Sequence, residues 1–303
     1  LHYLQFYLVK NALSAKLLTN QFQSPPQMNK MLSQFLFLRM VGLPLAQVQA
    51  AACGSILNGC LVLQCKSTKT RFNQRSDFSF IFAPFLTEII EQQFEETAAL
   101  MIFAPLVKRV ADRAFFKTQL ERLHMPLLKT AKVASFTGYN YEFIQLPDLK
   151  HTMVANSFSD CQNLKLFIGE KLQQLNGWCF YGCKQLETVI APYAKIENYA
   201  FFGCSMLRAA KTLGNEFECN CDNCPKCWEM MPLCDYRGQQ YMLTSEYNTL
   251  KKDEKNQQNV IYPLLNKQLR EEINANETKR ANIQPLKEFV CKISDYFIVD
   301  NMQ

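Results

Sequence analysis

Apolar positions recur between residues 78 and 213 with a period of 21 or 22 residues. Prolines stand at Pro84, Pro105, Pro126 and Pro147, each 21 residues after the last. Phenylalanines stand at Phe94, Phe115, Phe136, Phe158, Phe180 and Phe201, at intervals of 21 or 22. The segments LERLHMPLLKTAKVASF (120–136), LKLFIGEKLQQLNGWCF (164–180) and LETVIAPYAKIENYAF (186–201) follow one plan. A leucine opens an alternating apolar stretch, proline closes it where present, and a second apolar pair leads to the Phe. Alternation of period two predicts a short strand. Proline ends that strand because it has no N–H to give to a ladder. Neither strand nor Phe can bury itself within one unit, so successive units must stack around a shared core. The predicted fold is a repeat solenoid. LPLAQVQAAACGSILNGCLVL (43–63) and FNQRSDFSFIFAP (72–84) read as degenerate copies, which extends the array back to about residue 30 and forward to about Leu213.

The alternation also sorts residues by face. Those six, three and one before the proline are expected inside, and those four and two before it outside. The outward set is Phe80, Phe82, Met101, Phe103, Arg122, His124, Phe143, Gln145, Leu166, Ile168, Thr188 and Ile190. Eight of these twelve are Phe, Met, Leu or Ile, and a contiguous exposed apolar patch marks a partner surface. A register shifted by one residue would instead turn the whole set inward.

YAFFGCSML (199–207), WCFYGCKQL (178–186) and NSFSDCQNL (156–164) resemble the A-F-x-x-C-x-x-L signature of BspA-like leucine-rich repeats of the Treponema pallidum type. Earlier units depart from it, with Thr97, Thr118 and Tyr139 near the Cys position. The resemblance implies a leucine-rich-repeat solenoid, with a curved parallel β ladder on the concave side and loops and short turns on the convex side. It also implies an interaction protein, of a kind often found on the surfaces of bacteria and parasitic protists. Cys161, Cys183 and Cys204 each lie three residues after a repeat Phe, and stacking places them in a column. A buried ladder of thiols acting as small hydrophobes explains them better than a redox or metal column.

Composition adds little constraint: 303 residues, 48% hydrophobic, 20% charged, formal net charge +6. Lys and Arg are scattered, so no nucleic-acid footprint is expected. Thirteen cysteines is an odd number and no secretory signal stands out, so a complete disulfide framework is not expected. LHYLQFYLV (1–9) lacks a basic flank and a cleavage site, and no apolar window is long enough to span a membrane. The visible sequence reads as cytoplasmic, or as cell-surface if an export segment precedes Leu1. The histidines His2, His124 and His151 stand in no triad spacing, and no phosphate-loop, dinucleotide or zinc-protease motif occurs. No enzyme activity is expected.

CNCDNCPKC (219–227) falls where the next repeat is due, with Phe217 standing in for its Phe. Cys219, Cys221, Cys224 and Cys227 offer four thiolates for zinc. However, C-x-C is tight for such sites, and their two pairs usually come from separate segments. The spacing therefore favours a disulfide or reduced-thiol cap over zinc, and no other cofactor is indicated. After residue 236 the chain turns polar. LLNKQLREEI (264–273) has helical periodicity, a break is expected at Pro285, and 250–258 reads as flexible. Asn276-Glu277-Thr278 is a glycosylation sequon only in an exported protein. The predicted organisation is an N-terminal cap or truncated segment (1–29), the solenoid (30–213), a Cys-rich cap (214–235) and a charged, partly helical tail (236–303). The expected function is non-enzymatic binding of a protein partner across the concave face. The alternatives are a surface adhesin or scaffold, and a zinc-dependent regulator using the Cys cluster.

Overall fold

Each repeat contributes two strands to two ladders. Three-residue strands Cys60–Val62, Phe80–Phe82, Met101–Phe103 and Arg122–His124 pair in parallel, one above the next. Phe143–Gln145, Leu166–Ile168, Thr188–Ile190 and Ala209–Lys211 do the same in a second sheet. A shorter ladder follows the proline turn. It consists of Glu88–Ile89, Arg109–Val110, Thr130–Ala131 and His151–Thr152, then Gln174–Leu175 with Lys195–Ile196. These two-residue strands stand where the sequence suggested only turns. A computed structural model of the chain describes residues 34, 37–152 and 156–256, all within one compact unit, Lys30–Ile261. The helices expected around 264–273 and the break at Pro285 lie outside the described residues.

The space between the ladders is filled by one phenylalanine per turn. Phe72, Phe94, Phe115, Phe136, Phe158, Phe180 and Phe201 stack face to face, with ring centroids 5.4–5.9 Å apart and planes within 20° of parallel. Rings held this far apart lie in the range of favourable offset stacking. Backbone geometry holds each ring in place. The residues two before and two after each Phe from Phe94 to Phe201 have positive φ, as in Trp178 (60°) and Gly182 (70°) around Phe180. Each Phe N–H in mid-array donates to the carbonyl just before the next Phe, as Phe158 does to Cys179 at 3.0 Å. The inward residues of the long strands, among them Ile81, Ile102, Ile144, Phe167 and Val189, join these rings in one core.

Small residues complete the turns. Cys161, Cys183 and Cys204 are buried, and each thiol donates to the carbonyl of the preceding unit's Phe: Phe136, Phe158 and Phe180, at 3.5, 3.1 and 3.2 Å. Thr97 and Thr118 bond instead to their own unit's Phe carbonyl, at 3.0 and 2.9 Å. Burial pushes the Cys183 and Cys204 thiols well above the ordinary range, consistent with packing and not reactivity. Tyr139 takes this place in its own unit, fully buried, with no hydrogen-bond partner for its hydroxyl among the described residues. The long-strand ladder is interrupted beside it, between Arg122–His124 and Phe143–Gln145.

Both ends of the stack are closed by non-repeat structure. Within residues 43–63 only Cys60–Val62 continues the ladder, and the rest departs from the repeat. The segment forms helix α1 (Leu45–Ala50) and a hairpin in which Ser55–Leu57 runs antiparallel to Cys60–Val62. The turn is Asn58-Gly59, both with positive φ, the tight hairpin type that this dipeptide favours. At the other end helix α2 (Met231–Tyr241) lies on the last strand. A Cβ at Gly238 would stand 2.6 Å from the Lys211 backbone nitrogen, so only glycine allows that approach. Lys211 pairs with Asp235 of α2 at 3.0 Å. Helix α3 (Ser245–Asn256) then runs through the stretch expected to be flexible.

Phe136→Ala should lower unfolding free energy by about 3–5 kcal/mol, the usual cost of emptying a buried Phe site, as read by urea denaturation. Tyr139→Phe, which removes an unsatisfied buried hydroxyl, should be neutral or stabilising by about 1 kcal/mol in the same assay.

Candidate functional site

The outer face of the long-strand ladder presents two columns. The first holds Phe80, Met101, Arg122, Phe143, Leu166 and Thr188, and the second holds Phe82, Phe103, His124, Gln145, Ile168 and Ile190. None of the twelve belongs to the main core, so they lie on the opposite side of the strands. Yet Phe82, Met101, Phe103, His124, Ile168 and Ile190 are buried. Two other parts of the chain cover them. Phe37, in a helical turn at 37–40, stacks on Phe82 and Phe103 with centroids at 5.7 and 5.4 Å. Tyr247 of α3 packs on Ile168 and Ile190, with Phe143, Leu166 and Leu250 at its margin.

Polar contacts fix α3 in place. The Tyr247 hydroxyl donates to Glu170, Lys251 pairs with Glu170 at 3.0 Å, and Gln145 Nε2 donates to the Leu250 carbonyl at 3.5 Å. Alternation alone did not reveal these covers, because Phe37 and Tyr247 lie outside the repeat. What remains partly exposed is mainly the first column: Phe80, Arg122, Phe143, Leu166 and Thr188, joined by Gln145 from the second.

The sequence also gave no sign of a shallow groove of about 450 Å³ along the left-handed turns, lined by Phe116, Asn156, Asp160, Trp178 and Tyr181. Trp178 stacks on Tyr199 at 4.9 Å, and Tyr181 on Phe202 at 5.3 Å. These rings point away from the Phe stack because they precede and follow it by one or two residues.

The cysteine cluster converges. Sγ separations are 3.6 Å for Cys219–Cys221, Cys219–Cys224 and Cys224–Cys227, and 3.9 Å for Cys221–Cys227. All four sulfurs lie within 4.8 Å of one another, and all are free thiols. Burial pushes Cys219 up to about 11 and raises Cys224 further. Burial acts to raise Cys221 as well, but N–H groups of Gly203 and Asn223 outweigh it and hold that thiol below its usual value.

His124 continues the outer stack from Phe103 at 4.9 Å, and burial pulls its pKa down to about 3. An unfolded His titrates near 6.5. Between these values the unfolded chain binds the extra proton, so acid favours unfolding. This contribution is intact above pH ~6.5 and is lost as pH falls toward 3, by up to about 1.4 kcal/mol per pH unit. His124→Phe should flatten that part of the stability–pH curve, as measured by thermal melts across the window.

No helix of the described residues is long and apolar enough to cross a membrane. No curated protein and no solved structure matches the chain. A family model, the BspA type leucine rich repeat region, matches six copies over residues 87–208. That span holds the regular turns with their Phe stack and paired ladders, so residues 87–208 are BspA type leucine-rich repeats, in a solenoid closed by a hairpin at one end and α2 at the other.

Proposed function

We propose that the solenoid is a non-enzymatic module that binds a protein partner on the outer face of its long-strand ladder, the concave side of such repeats. The observation that carries this reading is what the face already holds. It receives one side of α3, through Tyr247 and Leu250, and uses Glu170 and Gln145 to set the helix position. A rigid ladder that accepts apolar anchors between flanking polar groups suits recognition of a helix or extended segment. The buried second column gives this surface its floor, and the partly exposed Phe80, Arg122, Phe143, Gln145, Leu166 and Thr188 are the contact residues. Phe103, fully buried between Phe82 and His124, supports the surface and is not itself a contact.

The test is a pull-down with the intact chain from its own cell type, comparing Phe143→Ala combined with Leu166→Ala against the exposed control Tyr193→Ala. The double variant should lose the captured partner at least tenfold, since anchor truncations cost about 2 kcal/mol or more each. The control should not. Equal capture by both variants, with circular dichroism unchanged, would sink the proposal.

A further inference from the structure

The geometry points to a structural zinc ion held by Cys219, Cys221, Cys224 and Cys227 as the clasp of the C-terminal cap. Zinc bound by four thiolates sits about 2.3 Å from each sulfur, and a regular tetrahedron of that radius has edges of about 3.8 Å. Four of the six Sγ separations here are 3.6, 3.6, 3.6 and 3.9 Å, and the other two are within 4.8 Å. Each sulfur has two neighbours at 3.6–3.9 Å, unlike two disulfides, which would draw the sulfurs into two close pairs. The tight C-x-C spacing is no obstacle. The chain bends at 222–224, with Asp222 in the left-handed region (φ 53°), and the two halves of the motif bring their sulfurs together although they are adjacent in sequence.

The surroundings match what thiolate sulfurs require. The Gly203 N–H, from the last full repeat turn, donates to Cys221 at 3.3 Å. Such donors neutralise and orient metal-bound thiolates. The Trp228 indole N–H donates to the Asp222 carbonyl at 3.1 Å, strapping the outside of the loop. Binding is balanced as one Zn²⁺ taken up and four thiol protons released, with no redox step.

The loop also lacks any other sufficient hold. Residues 213–230 contain no strand or helix, and only Phe217, Cys224 and Pro225 are buried among them. Phe217 meets Phe201 edge-on at 6.0 Å, ending the ring stack, and the four sulfurs sit just beyond it. A segment this irregular buries too little apolar surface to order itself, and small modules in that position use a metal or disulfides. The inference is independent of the partner-binding proposal.

The full chain, purified under reducing conditions, should carry one zinc per molecule by elemental analysis. Chelated and refilled with Co²⁺, it should show the visible bands of tetrahedral cobalt and near-ultraviolet sulfur-to-cobalt charge transfer. Cys221→Ser and Cys227→Ser should each lower cobalt affinity at least tenfold, whereas Cys53→Ser, an exposed cysteine outside the cluster, should not. Native mass spectrometry of the wild-type chain covers the case where a variant fails to fold. A neutral mass raised by one zinc less two hydrogens, the dication replacing two protons at constant charge, supports the site. A mass lowered by four hydrogens, or an unchanged mass with four alkylatable cluster thiols, overturns it.

Discussion

Everything in this structure depends on each turn returning the chain to the same place, so that ring falls on ring. A repeat of 21 or 22 residues closes one turn, and strands in register are ~4.8 Å apart. The Phe centroids are slightly further apart, at 5.4–5.9 Å, so the rings tilt and offset while the backbone ladders keep their spacing. The return is steep, and the chain makes it by adopting left-handed φ on both sides of every Phe from Phe94 to Phe201. In the earlier turns these positions carry Gln92, Glu96, Arg113 and Lys117, and in the last ones glycine takes the second of them, at Gly182 and Gly203. Non-glycine residues there carry strain, which the stacked neighbours and the inter-turn hydrogen bonds offset.

The solenoid core was legible because it is periodic. The spacing of Phe marked six of the seven stacked turns, Phe94 to Phe201 but not Phe72, and the alternation before each proline specified which side chains enter the core. Ile81, Ile102 and Val189 lie where that rule puts them. The short second ladder was not legible, because two-residue strands such as Thr130–Ala131 have no pattern of their own and exist only through their neighbours. At the N-terminal end Cys60–Val62 keeps its place in the ladder, but the segment before it is a helix and a hairpin strand, turned at Asn58-Gly59. Apolar residues on either side imitate the repeat pattern, and the dipeptide is what separates the two readings.

The outer face was only half legible. Sequence periodicity placed its residues on the correct side of the strands but said nothing of Phe37 or Tyr247, whose contacts join positions far apart in sequence. The same holds for the sulfurs. Spacing rules weigh cysteines along the chain, whereas the bend at 222–224 decides how they meet. Long-range closure of this kind has no local signature, so it becomes visible only once the backbone path is known.

The two ladders are interrupted at different levels. The long-strand ladder stops between Arg122–His124 and Phe143–Gln145, where the short ladder still joins Thr130–Ala131 to His151–Thr152. The short ladder stops after His151–Thr152, where the long strands Phe143–Gln145 and Leu166–Ile168 remain paired. The courses are therefore laid like bricks, each joint bridged by the course beside it. The Phe column passes through both joints without a gap. No plane across the solenoid cuts both ladders at once, so a pull along its axis meets continuous hydrogen bonding at every level between the two end caps.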